Sequence, residues 1–156
     1  MLNGVLAVLA GGAVLFMGIR ESGKISSRAR LLSQLCASGG RIRILIEYSR
    51  SHKRQLIEEL ELENTDLLLS MEERSDIENE LSRSRPQLKK EEAEFLAEFI
   101  SELGESEIGS QKKLLNRYDE FFREALLSAE KQKKERGKLY ITLGALAGAA
   151  VTVILI

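Results

Sequence analysis

One hundred and fifty-six residues, 23 basic and 24 acidic, make one ordinary domain's worth of chain, and a single cysteine excludes any intrachain disulfide. One histidine excludes a His-based metal site built within the chain. The near-neutral total hides a segregation: residues 20–54 hold nine basic and two acidic side chains, 58–107 five and seventeen, and 108–138 nine and five.

The chain begins with "LNGVLAVLAGGAVLFMGI", Leu2 to Ile19, eighteen residues without a charge. As a helix this run rises about 27 Å, close to the hydrocarbon thickness of a bilayer. A cleaved signal peptide needs basic residues before its apolar run, and here they follow it instead. A buried soluble helix of this length normally carries a polar stripe. The expectation is a membrane span over 1–20. Arg20, Lys24, Arg28 and Arg30 come directly after it, and basic flanks stay on the cytoplasmic side.

Residues 24–136 are expected to form a cytoplasmic helical-bundle domain. "SSRARLLSQLCA" offers Leu31, Leu32 and Leu35, with Cys36 read as a small buried hydrophobe. Gly39–Gly40 reads as a break, after which "RIRILIEYS" supplies Ile42, Leu45, Ile46 and Tyr48. "RQLIEELEL" and "TDLLLSM" add Leu56, Ile57, Leu60, Leu67 to Leu69 and Met71. Each piece is too short to hold a helix alone in water, so packing must hold it. "EERSDIENELSRSR" is polar, with only Ile77 and Leu81 apolar, and reads as an exposed helix or a connection.

The clearest helix follows Pro86. Leu88, Phe95, Leu96, Phe99, Ile100 and Leu103 share one face of "QLKKEEAEFLAEFISELG", and Gly104 suits a left-handed C-cap. Ser106 or Ser110 then opens a helix striped by Leu114, Leu115, Tyr118, Phe121, Phe122, Ala125, Leu126 and Ala129. No proline interrupts it, so one helix is expected to run into a second span, 139–156, after Lys131, Lys133, Lys134, Arg136 and Lys138. Both flanks place the middle of the chain in the cytoplasm and both ends across the membrane. Ala7 and Gly11, and Gly144 and Gly148, stand four apart within the spans, a spacing that lets helices approach closely. The fold expected is all-α, an antiparallel bundle of about six helices anchored by a span at each end.

Chemistry-bearing motifs are scarce. Gly39–Gly40 lacks the lysine and serine of a phosphate loop. His52 lies in a polar link, and no carboxylate pair is marked by a pocket. No cofactor is implied, and an enzyme is not expected. Nucleic acid is not expected either. The basic residues hug the spans, where they would meet membrane lipid, while the acidic stretch would repel phosphates. That stretch suits a basic protein partner, with Glu72, Glu73, Asp76, Glu78 and Glu80 as contacts, or it serves only to keep the domain off the membrane.

The chain resembles the stage III sporulation protein AB family. "FLAEFISELGESEIGSQKKLL" is similar to the family's Leu-Gly-x-Ser-x-x-x-x-Gln segment at Leu103, Gly104, Ser106 and Gln111, and "KLYITLGALAGAAVTVILI" to its Tyr-x-x-Leu-Gly-x-x-x-Gly span at Tyr140, Leu143, Gly144 and Gly148. The resemblance implies a non-enzymatic platform subunit in the sporulation channel between mother cell and forespore. It would sit in the mother-cell membrane among other membrane subunits, with a homo-oligomer possible. The cytoplasmic domain would be similar to that of the inner-membrane platform protein of type II secretion and type IV pilus machines, and would dock a secretion-type ATPase through Leu103–Gln111 and the acidic faces. The competing expectations are a membrane-tethered helical scaffold or regulator without an ATPase and, from a third class, an enzyme acting on lipid, for which Ser26 and Ser27 lack a paired histidine.

Overall fold

Among the described residues of the computed structural model six helices follow one another: α1 (Leu2–Tyr48), α2 (Lys53–Glu58), α3 (Thr65–Ser70), α4 (Arg74–Ser84), α5 (Lys90–Glu102) and α6 (Ile108–Leu155). The structure describes the backbone of residues 2–48 and 52–155. Within these, the side chains of 2–11, 14, 15, 17, 18, 21, 22, 137, 140, 141, 148, 151, 152, 154 and 155 lie outside the described residues. No strand occurs among the described residues, as the sequence leads one to expect. Among them, too, no helix is long and apolar enough to cross a membrane. Of the two expected spans, fifteen residues of 1–20 and eight of 139–156 have side chains outside the described ones.

The chain divides into two units, residues 31–126 and residues 1–30 with 127–156. In the first, Leu32, Leu35, Ile42 and Ile46 of α1 are sealed with Leu56, Ile57, Leu60, Leu62, Leu68, Ile77 and Leu81 from the short helices and their links. From α5 and α6 come Leu96, Phe99, Ile100, Leu103, Leu115, Tyr118 and Phe122, each almost inaccessible. The rings interlock: Phe95 stacks on Phe121 at 4.1 Å, Phe99 lies 4.3 Å from Tyr118, and Tyr118 lies 4.7 Å from Phe122. Such aromatic pairs add to what area burial alone contributes.

One expectation is overturned here. Gly39–Gly40 is no break; α1 continues through both. Gly39 is buried where α1 passes α6, and a Cβ there would stand 3.3 Å from the Tyr118 ring and collide with Asp119 Oδ1. A glycine costs a helix about 1 kcal/mol, and the close crossing it permits outweighs that. Polar ties fix the register: Tyr118 donates its hydroxyl to the Leu35 carbonyl at 2.9 Å, Arg43 pairs with Asp119, and Lys112 pairs with Glu47. The polar segment 74–84 is an ordered helix, α4, whose only deeply buried apolar residues, Ile77 and Leu81, pack it on α5.

In the second unit α1 and α6 meet side by side. Arg28 donates to the side-chain oxygen of Gln132 at 3.3 Å, and Ala29 and Ala129 are buried.

Candidate functional site

The α5–α6 turn gathers the residues that carry the sequence motif. α5 stops because Leu103 turns extended and Gly104 takes φ +80°, the left-handed conformation that glycine adopts without strain. A side chain at Gly104 would also meet Lys53, whose Cα and Cβ lie 3.2 and 3.0 Å from the Cβ position. Lys53 is there for a reason: its ammonium donates to the Ser101 carbonyl at 3.0 Å and pairs with Glu105 at 2.7 Å. The end of α5 is thus tied to the start of α2.

Gln111 closes the turn. Its amide oxygen accepts from the Gly104 N–H at 3.2 Å, and its amide nitrogen donates to Ser106 Oγ at 3.1 Å and to the Glu102 carbonyl at 3.4 Å. A single side chain thereby satisfies both walls of the connection, using groups that a helix end leaves unpaired. Leu103 is fully buried and Gln111 nearly so. Ser106, expected as a possible helix cap, instead receives the Gln111 amide, and α6 begins only at Ile108, so Ser110 lies inside it. The motif builds a clasp, and of its residues Gly104 and Ser106 are exposed.

The five acidic residues separate in the same way. Glu72, Glu73 and Asp76 are exposed before and along the first turn of α4, Glu78 is half-buried, and Glu80 is buried. The Glu80 carboxylate accepts from Arg83 at 2.6 and 3.1 Å and from the Asn64 amide at 3.3 Å. It ties α4 to the left-handed residue that opens α3, and its polar atoms are turned inward. Beside it an open recess of about 280 Å³ is lined by Met71, Asp76, Asn79, Glu80 and Arg83. Sequence reasoning missed Lys53, Asn64 and Arg41. The last holds the α2–α3 link through Glu59 at 2.6 Å and Glu61 at 2.7 Å, and no local pattern in the chain announces it.

Burial holds the Tyr118 phenol well above its ordinary range, opposed by the hydroxyl of Ser38 at 3.3 Å. Among the described residues no cluster of three His, Cys, Asp or Glu side chains is arranged to hold a metal ion. His52 is exposed ahead of α2, and Cys36 is half-buried. In the span segments Gly144 is buried, while Ala7, Gly11 and Gly148 lie outside the described side chains.

These features define an all-helical protein whose first and last helices are each shared between a sealed core and a second unit. Comparison with family profiles makes the assignment specific. The profile described as stage III sporulation protein AB matches residues 3–156, so the chain belongs to that family and to the third stage of sporulation. No curated protein and no solved structure matches the chain.

Proposed function

We propose that this chain is a non-enzymatic membrane platform subunit of the sporulation channel between mother cell and forespore, coupling a cytoplasmic secretion-type ATPase to the trans-envelope machine. Membership of the stage III family supplies the process. The observation that carries the anchoring is a run of large apolar side chains left exposed on the two longest helices. Phe16 and Ile19 on α1, and Leu139, Leu143, Leu146 and Val153 on α6, are all about half exposed or more. Large apolar side chains exposed to this degree on two helices call for an apolar cover, and a bilayer would supply one. The ends 1–20 and 139–156 would then be spans in the mother-cell membrane, with the core unit in the cytoplasm and both termini beyond the bilayer.

The docking face of this reading is narrower than the sequence alone suggests. Leu103, Gln111 and Glu80 use their polar atoms or surface within the fold, which leaves Glu72, Glu73 and Asp76, with exposed Ser106, as groups a partner can meet. Three exposed carboxylates close together in the chain suit a basic partner surface by charge complementarity.

The test is affinity isolation of the full-length protein from mild-detergent membranes of sporulating cells, beside an E72K/E73K/D76K variant. An ATPase and channel subunits recovered with wild type, the ATPase being lost with the variant, is the expected result. Recovery of the ATPase with both moves the docking face elsewhere. Recovery of membrane partners but no ATPase with wild type overturns the coupling role and favours a tethered scaffold.

A further inference from the structure

The contact between Arg28 and Gln132 fixes a common height on α1 and α6 within the second unit. From it α1 travels nine residues back to Ile19, and α6 seven residues on to Leu139, the first exposed large apolar side chain of each apolar run. At 1.5 Å per residue these are rises of about 13 and 10 Å. Two separate stretches of sequence therefore reach their apolar boundaries within about 3 Å of one level. The band just below that level, residues 20–30 and 130–138, holds nine basic and three acidic residues. Arg20, Lys24, Lys133, Lys134, Arg136 and Lys138 are all exposed. Nothing in the fold of the core unit requires so many cations on so short a length of helix pair.

The polar zone on one side of a bilayer is about 5–8 Å deep, and lysine and arginine stems let a charge reach several ångströms from its Cα. Arg20, Lys24, Lys134, Arg136 and Lys138 stand within about 8 Å of that boundary along their helices, a depth that suits phospholipid phosphates. We propose that this collar is a binding site for anionic phospholipid headgroups, which gather around the α1–α6 pair and set the depth at which it sits. The inference rests on the membrane reading above and deepens it. A merely apolar anchor takes any lipid, whereas this one selects the negatively charged kind. Each Lys or Arg near such a surface adds to the attraction, and because the collar is exposed, salt weakens it.

The experiment uses the full chain in phosphatidylcholine vesicles with spin-labelled phosphatidylglycerol or spin-labelled phosphatidylcholine as the probe. The signal of lipid immobilised at the protein surface is read at about 0.1 M and about 1 M salt. A sodium carbonate wash reports insertion independently. Wild type is expected to resist the wash and to hold phosphatidylglycerol at least about threefold over phosphatidylcholine at low salt, falling towards equality at high salt. The K133Q/K134Q/R136Q/K138Q variant is expected to stay inserted and lose most of that preference, with R20Q/K24Q losing a smaller share. An inserted wild type with no preference, or an inserted quadruple variant that keeps it in full, overturns the lipid site while leaving the anchor standing. Removal of wild type by the wash overturns the anchor, and the lipid site with it.

Discussion

The two adjacent glycines of α1 should respond to the same substitution in opposite directions. Gly40 is exposed, and a Cβ there meets nothing within 4 Å. Gly40→Ala removes a helix-weakening residue and narrows the unfolded ensemble, so it should stabilise by about 0.5–1 kcal/mol. Gly39→Ala gains the same amount and then loses more. Its methyl would collide with Asp119 Oδ1 and lie 3.3 Å from the Tyr118 ring. The carboxylate must swing away, which weakens the half-buried pair with Arg43. Forced repacking of a filled crossing costs about 1–3 kcal/mol, and an ion pair of this exposure about 1 kcal/mol at most. The net expectation for Gly39→Ala is a loss of about 1–2 kcal/mol, placing it about 2–3 kcal/mol below Gly40→Ala.

The assay is urea unfolding of the full chain in mild detergent, followed by the near-ultraviolet circular dichroism of tyrosine, since Tyr118 sits in the core and the chain has no tryptophan. A double-mutant cycle makes the cause visible. Asp119→Ala should remove much of the Gly39→Ala penalty, a coupling of about 1 kcal/mol or more. Equal stability of the two glycine variants would refute the crossing argument. A destabilised Gly40→Ala would refute the continuous helix itself, because only a left-handed or broken backbone at residue 40 penalises alanine there.

Further outcomes follow from the clasp, the acidic residues and the buried phenol. Gln111→Ala should cost about 1–3 kcal/mol by leaving the Gly104 N–H without its partner and the Glu102 carbonyl with the Glu105 N–H alone, with faster hydrogen exchange at Gly104, whereas Ser106→Ala should cost under about 1 kcal/mol. Glu80→Ala should cost about 1–2 kcal/mol, while Glu72→Lys, Glu73→Lys and Asp76→Lys each stay within about 0.5 kcal/mol, all read from urea midpoints. Tyr118 is held neutral in the fold by burial, so the unfolded chain releases its proton first as pH rises. Stability should therefore fall with pH from about 10 upwards, with a weaker slope in Tyr118→Phe, although that variant loses the bond to Leu35 at every pH.

Helix α5 was legible in its apolar face and its end, while its start was not: it begins at Lys90, and Leu88, expected on that face, lies before it. Its apolar face repeats at three and four residues, and Gly104 stands where the left-handed cap is needed. The α6 stripe was legible for the same reason, with Leu114, Leu115, Tyr118, Phe122 and Ala129 buried and Phe121, Ala125 and Leu126 half-buried. The Gly39–Gly40 break was misread because a glycine's local cost is visible in the chain and the passing helix is not. Asp119 and Tyr118, which decide the matter, lie some eighty residues away. The same distance hid Lys53 and Arg41, whose partners are contributed by other elements. Glu80 looked like one of five equivalent acids. Only its position on the inner side of α4, two turns from Glu73, separates it from the exposed three.

This separation changes what the motif residues mean. Leu-Gly-x-Ser-x-x-x-x-Gln is the most specific segment of the chain, and its chemistry is directed inward: a sealed leucine, a left-handed glycine and a glutamine whose amide uses both its oxygen and its nitrogen on the turn. Residues that a fold consumes to hold one turn have little left to offer a partner. If a partner reads this region, it reads the outline of a rigid clasp, and the exposed charges Glu72, Glu73 and Asp76 stand apart from it at the start of α4 in the chain. Loss of partner binding in Gln111→Ala would therefore need to be accompanied by loss of stability, whereas loss in E72K/E73K/D76K would not. That contrast distinguishes a residue that shapes the surface from one that belongs to it.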